Sequence, residues 1–537
     1  MCTTYKDEVV SSCEGLVPAG CIFWAPKWRH LETQRSVYWI ISVGTQVDIM
    51  LLIEFSLVLL IVSQVKSQAK RGNKASSKTS LQGREMLQPG TAEQSIPVPG
   101  IPSLNVSLLE QTFTPSRSST LAPLSEQKVS DDMRLHLLKN TLVTCNDGTT
   151  AGYYIRESKS SKRWIIFLEG GWCCYSRETC DVRYKNTRRL MSSTDWPKSR
   201  RGTGILSPRQ DENPHWWNLN AVFVPYCSSD VWSGNISKSR NDYAFMGSAI
   251  IQEVIRELVP KGIKQAKSVI LAGSSAGGTG VLINLDRVAS LVEEMTADTV
   301  QVRGLVDSGW FLDTKHGKSD CMDGSSCALT DAIKKGLKLW NGALPEKCRQ
   351  QYKREDEWQC FYGPKSFTSM KTPIFVVQWL HDVEQLRIEN IQPDFQFMTA
   401  NQWNNIQSIG RELKKSLREV PAVFAPACFS HTLITASNWV EFQVKGVTLS
   451  RALQCWTKSL QDRKGPKTVI RGCPFHLIDN CQWPHCNPTC PALHDPVTGQ
   501  EVTLLQMFLR LSIENQRRGQ EPKGDMNQLI AMLRNSG

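Results

Sequence analysis

The sequence predicts an α/β fold, a mainly parallel sheet flanked by helices and stabilised by disulfides. Three observations predict it: β-branched runs alternating with helical stretches, a Gly-x-Ser-x-Gly turn between one run and the next helix, and cysteines scattered along most of the chain. The runs RWIIFLEGG (163–171), AVFVPYCSS (221–229), SVILAGSS (268–275), VQVRGLVDSG (300–309) and TPIFVVQWL (372–380) are short, apolar and bounded by Gly, Ser or charged residues, so they read as buried strands. Between them, YAFMGSAIIQEVIREL (243–258) and GGTGVLINLDRVASLVEEM (277–295) read as helices. That alternation builds a parallel sheet covered on both faces, with ligands expected outside the carboxyl ends of the strands.

Of 18 cysteines, Cys2, Cys13 and Cys21 form an N-terminal group and fifteen lie from Cys145 onward. Thiols spread through one body point to an oxidising compartment and disulfides. Fifteen is odd, and the adjacent Cys173 and Cys174 contain the candidate for the unpaired thiol. The rival reading is structural zinc at Cys481, His485, Cys486 and Cys490, against which stands the lack of a C-x-x-C pair. No motif calls for a metal or an organic cofactor.

The chain has 537 residues, a net charge of +12 and 40% hydrophobic residues. A polytopic membrane protein would need several apolar runs of about 20 residues, and a wholly disordered chain would be poorer in Trp, Ile, Leu and Val. The strongest apolar run, IMLLIEFSLVLLIV (49–62), is short and interrupted by Glu54. It suits a signal-peptide core, with Ser67 and Ala69 at the −3 and −1 positions, better than a membrane span; a signal anchor is the alternative. Met50 stands directly before LLIEFSLVLL. Residues 1–49 therefore read as an upstream extension, 50–69 as the signal, 70–130 as a Ser-, Pro- and Lys-rich, mostly disordered leader, and 131–537 as the folded domain. The expectation is a secreted, extracellular protein without a stable membrane span, and the glycosylation sequons at Asn105 and Asn235 fit it.

The chemistry centres on Gly273-Ser274-Ser275-Ala276-Gly277, between the strand SVILA and the following helix. In that context the pentapeptide is a nucleophile elbow, whose tight turn crowds out side chains two residues either side of the serine. The register makes Ser275 the nucleophile and Ser274 its neighbour, and no G-K-[ST] follows that would make a phosphate loop. An elbow serine needs an acid and then a histidine downstream. His431, in PACFSH, is the candidate base. Asp382 follows the strand TPIFVVQWL, and Asp307, in LVDSGWF, also ends a strand; spacing favours Asp382 without excluding Asp307. An oxyanion hole can draw on the Ala276 amide and on the loop Glu169-Gly170-Gly171-Trp172 after the first strong strand.

LEGGWCC (168–174), YCSSDVWSG (226–234), GSSAGGTGVL (273–282), DSGWF (307–311), QWLHD (378–382), PACFSH (426–431) and WPHCNPTCP (483–491) resemble, in order, the pectin acetylesterase/Notum family of α/β-hydrolase-fold enzymes. The resemblance covers the chain from about residue 131. It implies a secreted serine carboxylesterase that hydrolyses the palmitoleoyl ester on a serine of Wnt proteins, inactivating them and negatively regulating Wnt signalling. It implies Ser275, Asp382 and His431 as the catalytic triad, so choosing Asp382 over Asp307, and Gly171, Trp172 and Ala276 as the oxyanion hole. Trp172, Phe311, Ile333, Phe361 and Tyr362 are implied as the acyl-pocket lining. Cys173 departs from the aromatic residue usual after Gly-Gly-Trp in the Notum branch and resembles the GGWC of plant pectin acetylesterases, which leaves the preferred chain length open.

Arg183, Lys185, Arg188, Arg189, Lys198, Arg200 and Arg201 surround a single acid, Asp195, and RELKKSLR (411–418) adds a second basic cluster. Outside the cell such patches suit heparan sulfate, and the resemblance points to glypican chains. No nucleic-acid motif accompanies the charge. Two other functions compete: a polysaccharide O-acetylesterase on the same fold, and a catalytically dead, glycan-binding regulator of Wnt signalling.

Overall fold

The computed structural model describes residues 132–509, apart from 238–241, 298, 314–328, 392–399, 461–471, 481–482, 495–498, 505 and 507–508. The expected extension, signal and leader over 1–130, with Asn105, lie outside the described residues, as do Cys321, Cys327 and Cys481.

In chain order the strands are β1 (Met133–Leu137), β2 (Gly152–Arg156), β3 (Arg163–Leu168), β4 (Ser199–Arg200), β5 (Asn220–Val224), β6 (Ser268–Ser274), β7 (Gln301–Asp307), β8 (Ile374–Val377), β9 (His381–Asp382), β10 (Val423–Ala425), β11 (Phe429–Ser430), β12 (Gln443–Val444), β13 (Val447–Thr448) and β14 (His476–Ile478). The helices used below are α1 (Arg177–Asn186), α2 (Gly247–Lys261), α3 (Ala276–Thr296), α4 (Leu329–Trp340), α5 (Val383–Ile388), α6 (Ala400–Ser416) and α7 (Leu449–Ser459). Ten strands form one sheet in the order β14-β10-β8-β7-β6-β3-β5-β2-β1-β4. Pairings from β14 across to β5 are parallel, and those through β2, β1 and β4 are antiparallel. The five strands expected from the sequence are the contiguous block β8-β7-β6-β3-β5.

Those strands carry apolar residues on both faces because both faces are covered. Along β3, Trp164, Ile166 and Leu168 enter one apolar cluster, shared with α2, α3 and α4, while Ile165 and Phe167 enter a second, shared with α7. The same alternation runs through β6, where Val269 and Leu271 face the first cluster and Ile270 and Ala272 the second. Truncating one such residue, Leu271→Ala for example, costs about 2–5 kcal/mol.

The structure corrects the helix expected over 243–258, which starts only at Gly247. Phe245 exchanges both backbone hydrogen bonds with Ile236, and the Asp230 carboxylate accepts the Gly247 amide, so helical geometry cannot begin earlier. Disulfides join Cys145–Cys227, Cys174–Cys180, Cys348–Cys360, Cys428–Cys490 and Cys455–Cys473. Cys486 is also disulfide-bonded, and Cys173 is a buried free thiol. The zinc reading of the 481–490 segment therefore fails: Cys486 and Cys490 are committed to disulfides, and both His485 ring nitrogens face backbone groups, the Phe429 amide and the Pro491 carbonyl. No described helix is long and apolar enough to cross a membrane.

Candidate active site

β6 ends in a sharp turn into α3. Ser275 stands in that turn at φ 57° and ψ −124°, a conformation costly for any residue with a side chain. It is the one position from 268 to 285 that is not buried, so the strained turn presents a single side chain. The flanking glycines are forced by close approach: a Cβ on Gly273 would run into the Gly277 carbonyl, and one on Gly277 into the Leu168 carbonyl. Ser274 faces away, its hydroxyl donating to Asp307 Oδ2 at 2.6 Å.

The acid and base meet through a two-residue parallel ladder, β9 against β11, which sets Ser430 beside Asp382 and so brings His431 to the acid. His431 Nδ1 lies 2.9 Å from both Asp382 carboxylate oxygens. Asp382 is the N-cap of α5, where Oδ1 accepts the Glu384 and Gln385 amides, and Gln378 Nε2 donates to Oδ2 at 3.2 Å. Its side chain is fully buried, whereas His431 keeps 18% of its side chain exposed. Burial pulls the imidazole pKa down, but the adjacent Asp382, through its charge and its hydrogen bond, outweighs this and raises it above the usual 6.5. With Nδ1 engaged, His431 Nε2 is buried and has no hydrogen-bond partner among the described residues.

Asp307, the competitor for the acid role, makes no hydrogen bond to His431 among the described residues. Its Oδ2 accepts the Leu433 and Ile434 amides at 2.9 and 3.2 Å, and its carbonyl accepts the Ser275 amide at 2.8 Å. The elbow and the loop after His431 thus share one buried residue.

The loop after β3 lies directly against the elbow. Gly171 and Trp172 both have positive φ, 137° and 61°, and the amides of Gly171, Trp172 and Ala276 take no backbone acceptor among the described residues. Sequence reasoning missed what holds this loop. Glu169 is its anchor: its amide donates to the Val224 carbonyl, Oε2 accepts the Tyr226 amide at 2.9 Å, Oε1 pairs with Arg189 at 2.8 Å, and its carbonyl accepts Trp232 Nε1 at 3.0 Å. Trp232 is in turn fixed by Asp230, a buried carboxylate that gathers the Ser228 hydroxyl and the Trp232, Gly234 and Gly247 amides. Burial pushes Asp230 up to about 6 despite those donors. Arg387, one turn beyond Asp382 on α5, sits 5.3 Å over the Trp172 ring. The acid directly before the glycine pair and the Asp within YCSSDVWSG were the available signals.

The five pocket candidates fall in one apolar cluster, with Ile333, Phe361 and Tyr362 buried and Trp172 and Phe311 packed against it while partly exposed. Asn235 is exposed. The first basic cluster is smaller in space than in sequence: Lys185, Arg188, Lys198 and Arg201 are exposed, but Arg183 bonds the Ser229 hydroxyl beneath Tyr226, and Arg200 lies 3.5 Å over the Phe223 ring.

A central parallel strand feeding a strained serine elbow, with a buried Asp–His pair and a glycine loop beside it, defines an α/β-hydrolase-like enzyme. The pectinacetylesterase family profile matches residues 126–491, and the chain belongs to that family as a carboxylic-ester hydrolase. Palmitoleoyl-protein carboxylesterase notum2 of Xenopus laevis is 69% identical over 489 residues, covering 91% of this chain and 100% of the relative. Palmitoleoyl-protein carboxylesterase NOTUM of Homo sapiens is 53% identical over 423 residues, covering 78% of this chain and 85% of the relative. The Drosophila melanogaster protein of the same description is 43% identical over 337 residues, covering 62% and 49%.

Proposed function

We propose that the protein is a secreted carboxylesterase that hydrolyses the palmitoleoyl ester on a serine of Wnt proteins and thereby inactivates them. The observation that carries the chemistry is the buried Asp382–His431 pair with Nε2 unengaged, tied to an elbow that exposes Ser275. Likeness to relatives described as palmitoleoyl-protein carboxylesterases supports the substrate.

In this reading His431 Nε2 takes the Ser275 hydroxyl proton and the alkoxide attacks the ester carbonyl. The oxyanion of the tetrahedral intermediate accepts hydrogen bonds from the Gly171, Trp172 and Ala276 amides. Collapse breaks the ester C–O bond, the imidazolium returns the proton to the departing serine oxygen, and the acyl group stays on Ser275. Water, deprotonated by the same nitrogen, releases palmitoleate and restores the serine. Asp382 holds the imidazole tautomer and stabilises its charged form. Trp172, Phe311, Ile333, Phe361 and Tyr362 receive the acyl chain, whose burial offers on the order of 10 kcal/mol before ordering costs. The exposed bases Lys185, Arg188, Lys198 and Arg201 make a site for sulfated glycans, which steep salt dependence of heparin retention would reveal.

The deciding experiment follows release of palmitoleate from a lipidated serine peptide by wild type and Ser275→Ala, with an acetyl ester in parallel. Turnover by wild type alone is expected. Turnover surviving Ser275→Ala refutes the nucleophile, while fast acetyl and negligible octanoyl hydrolysis would make the protein a polysaccharide O-acetylesterase instead. Failure of a fluorophosphonate to label Ser275 would leave a catalytically dead glycan-binding regulator.

A further inference from the structure

We infer that Asp307 is a positioning residue for the acid–base machinery: its carboxylate ties the elbow to the histidine loop and so sets His431 relative to Ser275. The inference rests on the Ser275–His431–Asp382 reading above.

Asp307 ends β7 beside Ser274, which ends β6 in parallel register with it, and its side chain is fully buried. On the elbow side, Oδ2 accepts the Ser274 hydroxyl at 2.6 Å and the Asp307 carbonyl accepts the Ser275 amide at 2.8 Å. On the histidine side, the same Oδ2 accepts the Leu433 and Ile434 amides. Oδ1 accepts the neighbouring Ser308 hydroxyl at 3.2 Å, and that oxygen accepts the Thr432 amide at 3.0 Å. Three consecutive amides after His431 are therefore captured by one Asp-Ser pair. Thr432 has φ 60°, so the chain turns sharply just past the base and needs such anchors to hold the turn.

A loop could be pinned by neutral groups at lower desolvation cost, so the charge itself calls for a role. Among the described residues Asp307 has no Lys or Arg ion pair; burial raises its carboxyl pKa, the Leu433 and Ile434 amides and the Ser274 hydroxyl oppose this, and the charge that acts on it is that of the His431 imidazolium, which is also acted on by Asp382 and Glu384. Asp307 thus acts twice, by placing the imidazole and by adding negative charge near it as it becomes protonated during acyl transfer.

The test uses the secreted full chain, with active sites titrated by fluorophosphonate carried to completion, and measures kcat and KM for a soluble octanoyl ester across pH. Asp307→Asn lowers kcat per titrated site by about 10- to 100-fold at little-changed KM. It also moves the acid limb of kcat/KM to lower pH, because the imidazolium loses a neighbouring anion. Ser308→Ala removes the acceptor for the Thr432 amide and keeps the carboxylate, so kcat falls about fivefold and the limb stays in place. Wild-type kcat per site and an unmoved limb in Asp307→Asn overturn the inference. Where that variant is not secreted, Ser308→Ala with wild-type kcat per site overturns it. Turnover retained by Ser275→Ala is a separate result that removes the triad reading and this inference with it.

Discussion

Gly170→Ala tests the proposed oxyanion loop with the smallest possible change. A Cβ at Gly170 would stand 2.5 Å from the Ser274 carbonyl oxygen and 2.9 Å from Ser275 Cβ. Ordinary contact begins at 3.4 Å, so the two segments must separate by up to 0.9 Å. The elbow cannot yield, since β6 is paired on both sides and Ser274 and Ser275 are bonded to Asp307. Displacement therefore falls on 170–172 and carries the Gly171 and Trp172 amides away from the oxyanion position. Glu169 is held by Tyr226, Arg189 and Trp232, which keeps the shift local and spares the fold. A donor misplaced by about 1 Å costs about 10²-fold in kcat, close to 2.7 kcal/mol of barrier. The assay is steady-state hydrolysis of p-nitrophenyl octanoate per titrated serine, with KM expected to change little. A Gly170→Ala enzyme with wild-type kcat would refute the placement of the oxyanion donors in this loop.

Three further outcomes follow from buried titratable groups. Burial pulls the His431 pKa down and Asp382 more than restores it, and the base must be neutral, so kcat/KM falls as pH drops through a pKa raised from the ordinary imidazole value; an acid limb displaced below that ordinary value contradicts the reading that Asp382 outweighs burial. Burial lifts Glu389 to about 7, a contact from Gln385 offsets this in part, and Asp313 and Glu412 add repulsion, while its Oε2 is buried without a partner among the described residues. A carboxyl with a raised folded pKa loses stability as pH rises through that value, so Glu389→Gln raises the melting temperature at pH 8 and leaves it unchanged at pH 4; equal increments at both would exclude ionisation as the cause. Burial pushes the Cys173 thiol up to about 12, so peptide mapping finds it modified by maleimide only after unfolding, and labelling of the native protein would show the side chain to be accessible.

The central strands were legible because β3, β5, β6, β7 and β8 are apolar on both faces and stand out as continuous runs. β1 was not: the half-exposed MRLHL carries only a weak alternation in the antiparallel end of the sheet. Ser275 could be read from five residues because the elbow imposes its glycines locally. Spacing favours Asp382 without excluding Asp307, since both lie at the carboxyl ends of parallel strands. What distinguishes them is the contact between β9 and β11, which brings His431 to Asp382 across 49 positions of chain and leaves no periodic mark. The anchoring roles of Glu169, Asp230 and Arg387 were hidden for the same reason. Linear charge counting overstated the basic patch because Arg183 and Arg200 lay their guanidinium groups on aromatic rings.

The Cys174–Cys180 bridge fastens the chain two residues past Trp172 to α1, while Trp340 Nε1 donates to the Cys174 carbonyl. The sheet, the elbow and the Asp–His pair need no help from that bond, but the glycine loop leaves Trp172 through it. With that bridge reduced, the loop would be held downstream by the Cys174 backbone alone, its amide on the Ser229 carbonyl and its carbonyl on Trp340, so oxidation adds a covalent tether to a loop already placed by hydrogen bonds. The bridge thus couples the redox state around the protein to the stiffness of the loop beside its nucleophile.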